Sequence, residues 1–242
     1  VGGGVNVRSP INSEVALVGG VSGVLRNNFG ASEFDSLIGD AYAGVVVTQD
    51  KNVFSLNAQF NQYDLASDRY RTASGVSGQW QYNPDASNQL SAYVQYSDLR
   101  YPTQSEQNAN RWVAGGAMAH AFRSGELAFA SAYWVNQNAH DGGASWLGFN
   151  GFGVRAGGQM NFNDRTVLFA GGAIEYRPYE SVDPVFLTTR KDTEYSLLLG
   201  ARYTPARFWT VSPKLIWTFN NSNIDIYEYN RTAAAVTVRR DF

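Results

Sequence analysis

Along much of the chain, apolar and polar residues alternate with a period of two, the mark of strands whose two faces meet different surroundings. From Trp209 the odd positions are Trp209, Val211, Pro213, Leu215, Trp217 and Phe219, and the even ones are Thr210, Ser212, Lys214, Ile216, Thr218 and Asn220. The preceding segment sets Tyr195, Leu197, Leu199, Ala201 and Tyr203 against Glu194, Ser196, Leu198, Gly200 and Arg202. Phe152, Val154, Ala156, Met160 and Phe162 oppose Arg155, Gln159 and Asn161, and Phe54, Leu56, Ala58 and Phe60 oppose Ser55, Asn57, Gln59 and Asn61. Each apolar stripe ends in an aromatic residue, as expected where a strand crosses hydrocarbon and meets headgroups.

The connections carry a second, longer period. Short polar ones fall at Gln49 to Asn52, Asn83 to Asn88, Arg123 to Gly125, Asn163-Asp164 and Pro205 to Arg207. Longer ones fall between them, at Asn27 to Ser36, Pro102 to Asn108, Asn138 to Leu147 and Glu180 to Arg190. This asymmetry predicts an all-β fold, an antiparallel transmembrane β-barrel of the outer membrane with short periplasmic turns and longer extracellular loops. Strands are expected near 13–28, 36–49, 53–65, 69–82, 89–101, 110–122, 126–138, 149–162, 166–178, 191–204, 208–221 and 228–242. That is about twelve, and single-chain bacterial barrels have even strand numbers, so the expected range is about 12–14. Gly2 to Ser9 is then either a lead-in or a further strand whose own neighbour lies upstream. Residues 1–242 read as one barrel domain, and the absence of an initiator methionine and a signal peptide suggests the C-terminal part of a longer precursor.

Composition sharpens this picture at a few points. A mean hydropathy of -0.30 resembles that of a soluble protein, and no apolar run reaches the ~18 residues of a membrane helix. A membrane strand needs only ~9–11 residues, half of them facing lipid, so averaged hydropathy hides it. A soluble β-sandwich also alternates, but its strands usually run to about 5–6 residues, far shorter than those read here. With no cysteine, disulfides, thiolate metal sites and cysteine nucleophiles are excluded together. A net charge of -2 and a pI near 5.7 give nucleic acid no basic surface to bind.

Candidate chemistry is sparse. His140 stands beside Asp141 in a glycine-rich connection, the pairing a rim protease uses, but a lone pair in such a loop is poor support for catalysis. His120 and His140 have no matched serine on a lipid-facing stripe, and Asn138, His140 and Asp141 lack a second histidine for a metal. No catalytic residue, cofactor or metal is expected, and the chain reads as a non-enzyme.

More is carried by the face opposite the aromatics. It is expected to line a lumen with Asp40, Arg71, Arg111, Glu126, Arg155, Glu175, Arg177, Asp192, Glu194, Arg202, Lys214, Glu228, Arg231 and Arg239. Charges of both signs there either pair across strands or require water, because an unpaired charge is not stable in a dry interior. Trp80, Tyr195, Tyr203, Trp209 and Trp217 are expected at the membrane interfaces. The strand from Glu228 is expected to close against the first strand, since an open edge in lipid leaves backbone groups unpaired. The terminal Phe242, with Val238, Val236 and Ala234 at alternate positions before it, resembles the signal read by the barrel-assembly machinery, and Arg240 departs from that pattern.

The run Arg190-Lys191-Asp192, "YSLLLGARY", Trp209 to Pro213, "SNIDIYEYNR" at Ser222 to Arg231 and the closing "VRRDF" resembles the barrel of the surface lipoprotein assembly modifier family. Related outer-membrane proteins carry tetratricopeptide repeats, and "VRSPINSEVALVGGVSGVLRNNF" and Tyr70-Arg71 are similar to them too. The resemblance implies a periplasmic helical-repeat region ahead of a barrel of about fourteen strands, and passage of a secreted protein or other polymer to the cell surface. The expected partners are outer-membrane lipid, lipopolysaccharide, the assembly machinery, that repeat region and a protein cargo. The expected function is a gated conduit, with the loops Asn138 to Leu147 and Glu180 to Arg190 folding over the mouth and Gly142, Gly143 and Ala144 giving little packing. The rival readings are a structural anchor for a partner and a small-solute porin.

Overall fold

The computed structural model describes residues 1–123 and 125–240. Thirteen antiparallel strands form one sheet in strict sequence order. They are β1 (Gly2–Pro10), β2 (Val15–Arg26), β3 (Ser36–Gln49), β4 (Asn52–Leu65), β5 (Asp68–Tyr82), β6 (Asn88–Arg100), β7 (Ala109–Ala121), β8 (Leu127–Ala139), β9 (Phe149–Asn163), β10 (Thr166–Val182), β11 (Thr189–Ala206), β12 (Trp209–Ser222) and β13 (Tyr229–Arg240). Gly2 to Pro10 is therefore a strand rather than a lead-in, and the order starts at β1 and ends at β13. Phe242, the expected assembly signal, lies outside the described residues.

The strands divide into two compact units. One comprises Val1–Tyr82, Ser91–Ala114 and Val135–Phe149, and the other Asn83–Leu90, Gly115–Trp134 and Asn150–Phe242. We call them the N-terminal and C-terminal units.

In the N-terminal unit the register sets Val47, Phe54 and Trp80 in one row and Val45, Leu56 and Gly78 in the next. Every second residue therefore shares the apolar face, and the residues between them form the polar face. In the C-terminal unit Gly172, Leu197 and Trp217 form one row and Ile174, Tyr195 and Phe219 another. Trp80, Tyr195, Tyr203, Trp209 and Trp217 all lie on the apolar face, 37–46% exposed. Leaving such large aromatics uncovered in a protein of this size marks a face made for a non-aqueous neighbour. Among the described residues, the buried side chains of the strands instead belong to the polar face, including Val135, Asp192 and Asn220.

The connections alternate as the sequence predicts, with one exception. On one end they span residues 11–14, 50–51, 83–87, 122–126, 164–165 and 207–208, and on the other 27–35, 66–67, 101–108, 140–148, 183–188 and 223–228. The 66–67 connection is a tight turn on the long-loop end, with Ala66 and Ser67 at φ 50 and 71°. Extended strand pairing also shortens the expected 180–190 loop to residues 183–188. Nor is the 140–148 loop loosely packed. It folds into a 3-10 turn over Gly142–Leu147, capped by Asp141 onto the Gly143 amide, and Ala144 is buried.

Candidate functional site

The polar face of the C-terminal unit is built around Arg177. Register places Glu175 directly opposite Glu194, a juxtaposition that alone would be repulsive. Arg177 resolves it by reaching both, with Nη2 3.1 Å from Glu194 Oε2 and Nε 3.6 Å from Glu175 Oε1. The same Nη2 donates to Asn220 Oδ1 at 3.4 Å, and Tyr229 donates its hydroxyl to Glu194 at 2.6 Å. Tyr133 donates its hydroxyl to Glu175, and Arg155 stands 4.7 Å from the Tyr133 ring centre while donating to its oxygen at 3.3 Å. The Tyr133 ring lies over Gly153, where any Cβ would collide with it. A cavity of about 260 Å³ beside this network is lined by Phe129, Tyr133, Arg155, Glu175, Glu194 and Ser196.

Toward the long-loop end, the same face continues into a fastening of two loops. The Arg190 guanidinium lies 3.4 Å from the centre of the Tyr227 ring and 4.5 Å from that of Tyr179, and ion-pairs with the fully buried Asp192 at 2.5 Å. Asp183 caps its own turn by accepting from the amides of Val185 and Phe186, and accepts from the Tyr227 hydroxyl at 3.5 Å. Asn220 donates to the Tyr227 carbonyl at 2.7 Å. The 183–188 and 223–228 connections are thus tied to each other and to the wall.

Along β11, β12 and β13 the polar face carries Arg202, Lys214, Arg231 and Arg239, all exposed and all basic. The mixed charge expected of the wall is therefore sorted, with carboxylates held in the ion-paired cluster and a basic stripe beside it. Glu126 is not on the wall, because it lies in the 122–126 connection ahead of β8, and Glu228 likewise sits in the 223–228 connection.

The N-terminal unit solves the same problem with neutral groups. Gln95 donates to Gln59 at 2.9 Å and Gln59 to Ser77 at 2.8 Å. Arg71 donates to Asn61 at 3.1 Å, and Asn61 to Asp40 at 2.8 Å. Asp40, Gln59, Asn61, Gln95 and Ser97 line a cavity of about 280 Å³. Arg111 lies on β7 in this unit. A tally of charges does not mark the amides or Tyr133, and Arg190 stands in the sequence at the end of a polar stretch that reads as loop. Inward alternation marked Gln59 and Asn61, whereas Tyr133 gave no signal because an aromatic residue beside Trp134 reads as part of an outward aromatic end.

The histidines have structural partners. His140 pairs with Asp98 at 3.3 Å rather than with Asp141, and His120 shares a hydrogen bond of 2.8 Å with Asn88. Among the described residues no cluster of three or more His, Asp or Glu could hold a metal.

The family model described as surface lipoprotein assembly modifier matches residues 24–242. A curated relative, surface lipoprotein assembly modifier 1 of Haemophilus influenzae, is 26% identical over 160 residues, covering 64% of this chain and 32% of the relative. The chain thus corresponds to about a third of that relative's length. Among solved structures, the copper transporter OprC matches with a TM-score of 0.55 at 9% identity, over 99% of this chain and 49% of that one. A FadL homologue of Pseudomonas aeruginosa gives 0.54 at 14% identity, over 98% of this chain and 75% of that one. The outer membrane protein OmpT of Vibrio cholerae, with loop L8 deleted, gives 0.53 at 9% identity, over 99% and 89%. At these identities the structural matches speak for the fold alone, a large antiparallel β-barrel. With its family model matched from residue 24 to residue 242, this chain belongs to the surface lipoprotein assembly modifier family and is an integral β-barrel of the bacterial outer membrane.

Proposed function

We propose that this chain is the membrane-spanning conduit through which a lipoprotein's polypeptide reaches the cell surface, gated and mostly closed at rest. Family membership supports the cargo class, and the polar wall supports the route. Barrels of more than about eight strands are too wide for side chains to fill, and a wall carrying Arg155, Glu175, Arg177 and a basic stripe needs water or a polar chain against it. The observation that carries the gating is the tie between the 183–188 and 223–228 connections through Arg190, Tyr227 and Asp183. No catalytic step is part of this role.

Planar-bilayer conductance of the purified barrel tests the proposal. The intact barrel should conduct little, and shortening the 140–148 and 183–188 connections should raise conductance. A barrel that stays non-conducting after both are shortened refutes the conduit and leaves the anchor reading, whereas steady full conductance of the intact barrel is the behaviour of a small-solute porin.

A further inference from the structure

The C-terminal unit has a broad basin on its apolar face. Three neighbouring strands carry small residues where the wall elsewhere carries bulky ones: Ala130 and Ala132 on β8, Ala156 on β9 and Gly172 on β10. Met118 and Val154 border this floor on one side, and Leu197 and Trp217, in the same row as Gly172, border it on the other. The cavity measures about 1160 Å³. Its aromatic border is fixed, since Trp217 donates its indole N–H to Asn230 at 2.6 Å and Tyr195 stacks on Phe219 at 6.1 Å. The N-terminal unit has a smaller counterpart of about 550 Å³, floored by Gly19, Ala43 and Ala58 and bordered by Val5, Val7 and Phe60.

We propose that the larger basin holds an acyl chain of the lipoprotein's anchor while its polypeptide passes along the polar face. This rests on the function proposed above and follows from a conflict within it. A lipoprotein joins a polar chain to hydrocarbon. Against the face of Arg155, Glu175 and Arg177, every methylene of that hydrocarbon would be held in a wet, charged setting at a cost in free energy. The two parts of the cargo therefore take opposite faces of the same strands. On the apolar face, the basin offers the acyl chain a concave apolar wall between a fixed tryptophan and Met118. Its small floor residues let the chain sit closer to the backbone than bulk lipid can approach over Leu199 or Leu215, and close packing strengthens dispersion contacts.

The experiment uses the full-length protein in outer-membrane vesicles and in cells. A lipoprotein whose anchor carries a diazirine-bearing palmitoyl chain should cross-link to the β8–β10 floor and not to the smaller basin of the N-terminal unit. A diazirine-labelled phosphatidylethanolamine in the same vesicles should label both basins. Filling the larger basin with Ala156→Phe and Gly172→Leu should slow surface delivery of the acylated lipoprotein by about tenfold, equivalent to withdrawing roughly two methylenes from contact. The same cargo with its acylated cysteine replaced should be delivered at an unchanged rate, and Ala43→Phe with Ala58→Leu in the smaller basin should affect neither cargo. Equal labelling of both basins by the lipoprotein, or equal slowing of both cargoes by the filled basin, overturns the proposal. Unchanged delivery of the acylated cargo also overturns it and leaves the conduit standing. Failure of the unsubstituted protein to deliver either cargo refutes the conduit and the inference together.

Discussion

The two units build a polar wall from different chemistry. In the N-terminal unit, Gln95, Gln59, Ser77, Asn61 and Asp40 pass hydrogen bonds from strand to strand with one cation, Arg71, in the chain of contacts. In the C-terminal unit, two opposed carboxylates, Glu175 and Glu194, are held together by Arg177, and the buried Asp192 is held by Arg190. Neutral amides lose little when one is removed, because each remaining group still finds water or a neighbour. An ion cluster fails abruptly, because removing the shared cation leaves like charges facing each other. The C-terminal wall should therefore be the stiffer and more fragile of the two, and it is the wall that anchors the loop ties.

The largest expected effect follows from this. Arg177→Ala should lower the stability of the folded barrel by up to about 3–5 kcal/mol, the cost of orphaning one side of a buried pair, less the share that water recovers because Arg177 and Glu194 keep 22% and 31% of their side-chain surface exposed. It would be read as the temperature at which heat-modified electrophoretic mobility is lost in detergent. Adding Glu175→Gln should recover much of the loss, since it removes one of the opposed charges. A double variant as unstable as the single one would show that the opposition is not what Arg177 relieves.

Next in size is a test of the faces. Leu199→Arg places a charge on the apolar face near mid-strand and should cost about 2–4 kcal/mol in reversible folding into vesicles. The same change at Leu198, the adjacent polar-face position, should cost much less, and equal penalties would mean the two faces see the same solvent.

A finer contrast separates the units. Tyr133→Phe removes a hydrogen bond to the Glu175 carboxylate and should cost about 1.5–3 kcal/mol, whereas Gln59→Ala removes neutral bonds and should cost about 0.5–1.5 kcal/mol. Thermal unfolding of the two variants side by side measures the difference. A larger loss for Gln59→Ala would reverse the comparison.

Much of the fold was legible because the physics that selects it is local. A strand between lipid and water must alternate, and stretches such as Trp209 to Phe219 do so with Ile216 alone out of pattern. The strand ends were legible, the break after Leu65 included, but the tight turn made there was not, since neither Ala66 nor Ser67 advertises positive φ. The length of the 183–188 connection was hidden for another reason. Glu180 to Val182 and Thr189-Arg190 are polar enough to read as loop, yet they pair as strand because Arg190 has Asp192 and Tyr227 to meet.

The site was legible as a list and not as a network. Alternation placed Glu175, Arg177, Asp192 and Glu194 on one face, but partners depend on register, and register is set by turn geometry rather than by the charges. The basin was invisible for the opposite reason. Alanine and glycine carry so little hydropathy signal that their coincidence on three neighbouring strands emerges only when the strands are aligned.

The central claim, that a lipoprotein's polypeptide passes along the polar face, is tested most directly by site-specific photocross-linking in cells exporting such a cargo. The chain would carry the photoreactive residue at Ser196 on the polar face or at Leu56 on the apolar face, each in the full-length protein. The account predicts a cross-link between Ser196 and the cargo polypeptide and none from Leu56. Surface delivery of the lipoprotein with no cross-link from Ser196, or with equal cross-linking from Leu56, would contradict it.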